Sequence, residues 1–354
     1  MGKLIIASLI VFLLVGFFFW QRQKAVNFIN PSSDVQQKEL PLSKYTFDSL
    51  SKGDFAPSEI TLGEILTDDA DFTSYKFYFW AENKKVSGLL NVPKSAGSYP
   101  VIVMFRGYVD KEIFAAGVGT QRAGEVFAKN GFITLAPDFL GYGESDNPSA
   151  NSIEERFQTY ATVLTLLESV KNLNKTFSVN NISARTLDGK VGIWGHSNGG
   201  QIALSILEIS GKSYPAVLWA PVSKPFPYSV LYYTDEFEDR GKLLRRAIAD
   251  FEKDYDIELY NLTNYFARIA APLQIHQGTA DDSVPQKWSD QLVEELNKLE
   301  KDVEYFTYSG ADHNLLPGWD LAVSRSIEFY RKNLPTATRE TFCRRAGKLS
   351  CLGN

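Results

Sequence analysis

Short, mostly apolar runs recur along the chain, each bounded by glycine, proline or polar residues. They are Val101–Phe105, Phe132–Ala136, Val191–Trp194, Ala216–Ala220, Leu273–His276 and Val303–Tyr308. Runs of this length without polar alternation predict strands buried on both faces. Between them apolar residues fall at helical spacing over Thr120–Lys129, Ser152–Leu173, Gln201–Ile209, Asp290–Lys298 and Asp320–Lys332. Ahead of these, Tyr75–Ala81 and Val86–Val92 flank Glu82-Asn-Lys-Lys85, the pattern of an antiparallel hairpin. Strands alternating with helices predict an α/β domain over residues 71–335, with a mostly parallel central sheet covered by helices on both faces.

One turn stands out in this pattern. The run ending at Trp194 passes directly into Gly195-His-Ser-Asn-Gly-Gly200 and then into a helical stretch. A Gly-x-Ser-x-Gly turn between strand and helix pushes the serine hydroxyl out above the sheet edge, with small neighbours to avoid collisions. The following helix aims free N–H groups at whatever the serine attacks. Ser197 is therefore the candidate nucleophile.

A serine nucleophile needs a base, and the base needs an orienting acid. The chain has three histidines. His196 lies inside the turn and should not reach back to the Ser197 hydroxyl. His276 ends an apolar strand and reads as a packed histidine. His313, in the polar loop Ser309-Gly-Ala-Asp-His-Asn314 after the last strand, is the candidate base. The acid is expected between serine and histidine in the chain. Gly278-Thr-Ala-Asp-Asp-Ser-Val-Pro285 offers Asp281, with Asp282 as the alternative; Asp312 reads as a local hydrogen-bonding residue. All of these follow strand ends, as does Tyr108, and the carboxyl ends of parallel strands are where such sheets bind ligands.

The stretch 224–268 breaks the alternation, being too long for a simple connection, and it is rich in Phe and Tyr. It predicts a helical lid insertion over the serine, against the alternative of helices that merely cover the sheet. At the N-terminus, Leu4–Trp20 is an uncharged apolar run flanked by Lys3, Arg22 and Lys24. It lacks a small-residue cleavage site, so residues 1–24 are expected to form a membrane anchor rather than a removed signal. Residues 25–70 read as tether and N-terminal extension, with the few apolar residues from Tyr45 to Asp71 expected in a short helix or strand on the domain edge, and 336–354 read as a tail. The near-balanced flanking charges leave the orientation open; an extracytoplasmic catalytic domain is expected, because a cysteine-free body suits export. The two cysteines, Cys343 and Cys351, could close a tail disulfide or remain idle thiols.

Composition narrows the partners. A net charge of −5 and no basic stripe argue against nucleic acid. Cysteine and histidine are too few and too scattered for a metal site, so neither a metal nor an organic cofactor is expected.

Gly195-His-Ser-Asn-Gly-Gly200, His276-Gln-Gly-Thr-Ala-Asp-Asp-Ser-Val-Pro285 and Gly310-Ala-Asp-His313 resemble the motifs of the α/β-hydrolases. The chain looks most like the catalytic domains of the prolyl oligopeptidase family and the dienelactone-hydrolase-like esterases. The resemblance runs from about Tyr75 to Leu334. It implies Ser197 as nucleophile, His313 as base and Asp281 as acid. It also implies an oxyanion hole from the N–H groups of Asn198 and Tyr108. Two departures matter. Arg106-Gly107 stands where many hydrolases carry His-Gly, and Phe105 stands where prolyl oligopeptidases usually place an oxyanion-binding tyrosine. The part ahead of Tyr75 is also too short for that family's propeller. The expected activity is hydrolysis of a peptide or small-molecule ester substrate, with a serine peptidase as first reading and a carboxylesterase as the alternative. A membrane-tethered binding protein on a catalytically dead hydrolase fold is the reading from a different class.

Overall fold

The computed structural model describes residues 39–335, so the apolar run Leu4–Trp20, the anchor expected over 1–24, and Cys343 and Cys351 in the expected tail lie outside it. Residues 41–335 build a compact unit. Its elements, in chain order, are helix α1 (Phe47–Ser51) and strands β1 (Thr61–Asp68), β2 (Phe72–Ala81), β3 (Lys84–Pro93) and β4 (Gly97–Phe105). Next come α2 (Gln121–Lys129), β5 (Ile133–Pro137), α3 (Ser152–Ser169), α4 (Leu173–Val179), β6 (Ala184–His196), α5 (Asn198–Ser210) and β7 (Ala216–Trp219). The chain finishes with α6 (Tyr228–Leu231), α7 (Lys242–Phe251), β8 (Leu273–Gly278), α8 (Gln286–Lys298), β9 (Val303–Tyr308) and α9 (Trp319–Asn333).

The strands form one sheet of nine in the order β1-β2-β3-β5-β4-β6-β7-β8-β9. β1, β2 and β3 pair antiparallel, as do β3 and β5. From β5 to β9 every neighbouring pair is parallel. The side chains of the central strands alternate between two apolar layers. One layer packs under α1, α3, α5 and α8 through Phe105, Phe157, Leu204, Ile206 and Leu296. The other packs under α2 and α9 through Met104, Phe127, Trp194, Trp219 and Tyr330. This is the α/β-hydrolase arrangement expected from the alternation of strands and helices.

Three elements differ from expectation. The helix expected over Ser152–Leu173 breaks after Ser169, and a tight 3-10 turn at Val170–Asn172 leads into α4. Thr165 and Ser169 donate their hydroxyls to carbonyls one turn back, which loosens the helix, and Ser169 Oγ also accepts the backbone N–H of Ser58 at 2.8 Å. Strand β6 begins at Ala184, well ahead of Val191, because Ala184–Thr186 pairs with Gly97–Tyr99 before Pro100 disturbs the register. The third difference is at the front. Part of the 25–70 extension belongs to the domain itself: β1 extends the sheet, and Leu42, Tyr45, Phe47, Leu50 and Ile60 are buried in the core. Phe47 stacks on Tyr265 at 4.8 Å and meets Tyr160 edge-on at 6.0 Å. The sequence suggests a helix or strand on the domain edge here, but its apolar residues are spaced too irregularly for either periodicity to show that they enter the core.

Candidate active site

Ser197 sits between β6 and α5 with φ 57° and ψ −121°, a conformation that ordinary residues avoid. The surroundings enforce it. Ser197 N–H donates to Trp219 O at 2.9 Å, and Val222 N–H donates to Ser197 O at 3.0 Å. The helix turns back so tightly that a Cβ at Gly199 would lie 2.0 Å from the carbonyl oxygen of Phe105. Only glycine fits there, which accounts for the second glycine of the motif.

Asp281 and His313 meet on the same rim from separate loops. His313 Nδ1 donates to Asp281 Oδ2 at 2.9 Å, with Oδ1 at 3.1 Å. The loops approach so closely that a Cβ at Gly278 would lie 2.3 Å from Ala311 O. The Asp281 carboxylate is fully buried but well served. Oδ1 accepts the N–H groups of Ser283 and Val284 at 2.9 and 2.8 Å, and Oδ2 accepts Gln277 Nε2 at 3.0 Å. Burial pushes this carboxyl up, but the bonds from His313 and the Val284 and Ser283 N–H groups outweigh it and hold it below the usual range. Asp282, one residue on, is exposed and accepts a hydrogen bond from Ser283 Oγ at 3.2 Å. The pairing thus separates the two aspartates that the sequence left as alternatives. The imidazole of His313 is 18% exposed, and with Nδ1 committed to Asp281 its Nε2 is left for proton exchange. Ser197 Oγ and His313 Nε2 are not hydrogen-bonded, a contact that often tightens only with substrate bound.

The other two histidines have different tasks. His276 is buried, with Nδ1 2.7 Å from the Tyr308 hydroxyl and Nε2 2.8 Å from Gln274 Oε1. It is a packed histidine, as expected. His196 is bonded elsewhere: its Nε2–H donates to the backbone carbonyl of His313 at 2.9 Å. The rings of His196 and His313 lie 4.6 Å apart. No sequence pattern pointed to this link, because it joins residues 117 apart. Asp312 caps its own loop, accepting the N–H groups of Asn314 and Leu316.

Asn198 opens α5, where its N–H has no intrahelical acceptor. Gly107 lies so close that a Cβ there would stand 3.0 Å from Ser197 Cβ and 3.5 Å from Oγ, which brings the Gly107-Tyr108 backbone beside the serine. The Tyr108 hydroxyl donates to Asp110 Oδ1 at 2.8 Å. Arg106 stays buried, donating to the carbonyls of Gly107 and Asp138, with Tyr142 against its guanidinium at 4.0 Å.

The aromatic insertion divides in two. Phe226, Phe251, Tyr260 and Phe266 are buried, and Phe226, Phe251 and Tyr260 pack around Phe157 of α3, so they cover the sheet. Tyr228, Tyr232 and Tyr233 instead gather around Trp288, beside Val284 of the Asp281 loop. Among the described residues no group of His, Cys, Asp and Glu could hold a metal ion, and no helix is long and apolar enough to cross a membrane.

With strand order, elbow and loops in place, comparison with known proteins defines the class. The prolyl oligopeptidase family model matches residues 121–332, and the chain belongs to that family. It is a serine hydrolase on an α/β-hydrolase fold. It is 26% identical over 264 residues to the uncharacterized peptidase YtmA of Bacillus subtilis (strain 168), covering 73% of this chain and 93% of that protein. Its fold is similar to the acetyl xylan esterase of Paenibacillus sp. R4, with TM-score 0.55, 18% identity and coverage of 82% and 99%. It is likewise similar to acetyl xylan esterase 1 of Thermoanaerobacterium sp. JW/SL YS485, with TM-score 0.54, 17% identity and coverage of 82% and 93%.

Proposed function

We propose that the chain cleaves peptide or amide bonds through a Ser197–His313–Asp281 triad and an acyl-enzyme. The observation that carries this reading is the buried, three-donor carboxylate of Asp281 held on His313 Nδ1. Such a carboxylate fixes the imidazole tautomer and favours its charged form. Ser197 Oγ attacks the carbonyl carbon while His313 Nε2 takes its proton. The carbonyl oxygen, now an oxyanion, takes up the N–H groups of Asn198 and Tyr108, each worth ~3 kcal/mol in comparable sites. Collapse of the tetrahedral adduct expels the leaving group, which receives the proton from His313. Water, deprotonated by His313, then releases the acyl group and restores Ser197. Family membership and the likeness to a peptidase support peptide substrates.

A carboxylesterase is the second reading, and one observation favours it. The buried Phe105 provides no phenol beside the oxyanion, and the Tyr108 hydroxyl is engaged by Asp110. Esters need less help with their leaving group than amides, so a hole of two backbone donors suits them. We also propose that residues 1–24 tether the enzyme to a membrane with the catalytic domain on the extracytoplasmic side.

A fluorophosphonate probe should label the wild-type protein at Ser197 and leave Ser197→Ala unlabelled; labelling that survives the substitution would rule out this nucleophile. Turnover of p-nitrophenyl esters against proline and alanine arylamides separates the two readings. Arylamide cleavage supports the peptidase, whereas ester turnover with no detectable arylamide cleavage supports the esterase.

A further inference from the structure

Beside Asn198 lies a cavity of about 220 Å³ whose lining includes Arg106, Tyr108, Glu155, Arg156, Asn198 and Gln201. It is smaller than the pockets that hold whole ligands, so it suits one group of a substrate. Its charge balance is unusual. Arg156, on α3, donates Nη2 to Gln201 Oε1 at 2.6 Å, and its guanidinium lies over Phe226 at 5.7 Å. Gln201 is itself buried and held by Ser229, which it reaches through Nε2 at 3.2 Å. Burial holds the Arg156 guanidinium below its usual range. Arg106 gives its two terminal nitrogens to carbonyls, and its buried Nε has no acceptor.

Among the described residues neither arginine has a carboxylate partner within ion-pair distance. Glu155 also lines the cavity, but it faces Lys111 at 3.6 Å. Asp138, behind Arg106, offers it a backbone carbonyl while its own carboxylate is bonded by Ser87 Oγ at 2.6 Å. The Asp138 carboxylate still acts on Arg106 from beyond that distance, but Arg156 has no such partner among the described residues. A largely buried guanidinium without a counter-charge is costly, and its planar donor fork matches a carboxylate better than any other common group. The cost is recovered if the missing anion arrives with the substrate.

We propose that this cavity is a specificity site for a carboxylate on the substrate, held by Arg156 with Arg106 behind it while the scissile carbonyl sits at Ser197. The assignment rests on the reading of Ser197 as nucleophile. Gln201 acts as a positioning residue, fixing one face of the Arg156 guanidinium so that the remaining donors face the cavity. The enzyme therefore takes acyl compounds that carry a second, ionised carboxyl group close to the bond cleaved.

The test compares two matched ester pairs on the full chain. In p-nitrophenyl hemiglutarate against p-nitrophenyl valerate the carboxylate is on the acyl side. In 4-acetoxybenzoate against phenyl acetate it is on the leaving group. For each pair the readout is kcat/KM for the charged ester divided by that for the neutral one. In at least one pair Arg156→Gln should lower this ratio about tenfold or more, and Arg156→Lys, which keeps the charge but loses the fork, should lower it clearly less. A ratio that moves less than about threefold in both pairs on Arg156→Gln overturns the proposal, as does an equal loss in Arg156→Lys. Fluorophosphonate labelling separates the two failures. Labelled Ser197 with an unmoved ratio sinks the carboxylate site alone, whereas unlabelled wild-type protein sinks the nucleophile reading and this assignment with it.

Discussion

His196 Nε2 donates to the backbone carbonyl of His313 at 2.9 Å, so the residue before the candidate nucleophile holds the candidate base by its main chain. The bond requires a proton on Nε2, and burial together with the neighbouring His313 keeps this imidazole neutral, with a pKa held down to about 4. The two loops that carry the candidate nucleophile and base are thereby joined independently of the Asp281 contact. Replacing His196 with Phe keeps the ring volume and removes the donor. Turnover should fall about tenfold to a hundredfold with KM little changed, since small misplacements of a catalytic group carry penalties of that size. Steady-state kinetics on a p-nitrophenyl ester would show it; an unchanged kcat would mean that His313 is held well enough without this bond.

Asp281 and Asp282 give a sharp contrast within one loop. Asp281→Asn should lower kcat by about a thousandfold or more, because an amide in this place cannot hold the imidazole in the required tautomer. Asp282→Asn should alter kcat/KM by no more than about twofold, its carboxylate being exposed and bonded to Ser283 Oγ. Comparable losses in the two variants would disprove the assignment.

The pH dependence of stability should follow the buried histidines. His276 accepts the Tyr308 hydroxyl on Nδ1 and donates Nε2–H to Gln274, so it is buried in its neutral form. Burial, with Arg325 adding to it, holds its pKa down to about 3. The folded state thus resists a proton that the unfolded chain accepts near its ordinary pKa of about 6.5. The associated stability is complete above about pH 6.5 and is lost as pH falls toward the folded value, at up to about 1.4 kcal/mol per pH unit. Urea unfolding midpoints between pH 7 and pH 4.5 should therefore drop steeply in the wild type and less steeply in His276→Gln.

Phe47 tests whether the front of the chain belongs to the domain. It is fully buried between Tyr160 and Tyr265, so Phe47→Ala should cost about 3–5 kcal/mol in chemical denaturation. A loss below about 1 kcal/mol would mean that the segment before β1 is a peripheral strap.

The proposed anchor makes its own prediction. The full chain should stay with membranes after alkaline carbonate extraction, and removal of residues 1–24 should release it. Release of the full chain under the same treatment would remove the anchor from the proposal.

How far the sequence reaches differs between parts of this molecule. The parallel core was legible because its strands are apolar on both faces and bounded by turns. The elbow was legible because glycine is obligatory where Gly199 meets Phe105 O. Chain order drew attention to Asp281 and His313, and the structure adds that they touch. Contacts between distant, individually ordinary residues were not legible. Phe47 against Tyr265 and His196 against the His313 carbonyl leave no periodic trace, and neither does Arg156 on Gln201, a pair 45 residues apart. Sequence offered the insertion as a lid or as a cover and could not divide its aromatic residues, which look alike in sequence, between the core and the Asp281 loop.

The backbone bonds that tie Ser197 to Trp219 and Val222 close just before the insertion starts. Further on, the chain is pinned again by Phe226, and then by Ile248 and Phe251, all buried. The stretch 228–247 between those pins meets the frame through Ser229, bonded to Gln201, and through the tyrosines on Trp288, contacts that a graft must keep. Its length and composition can change while the turn that carries the serine keeps its shape. This makes the stretch a natural place for grafting: exchanging 228–247 between relatives should transfer substrate preference as a module, with the rate of serine acylation by a small activated ester serving as the check that the frame is intact.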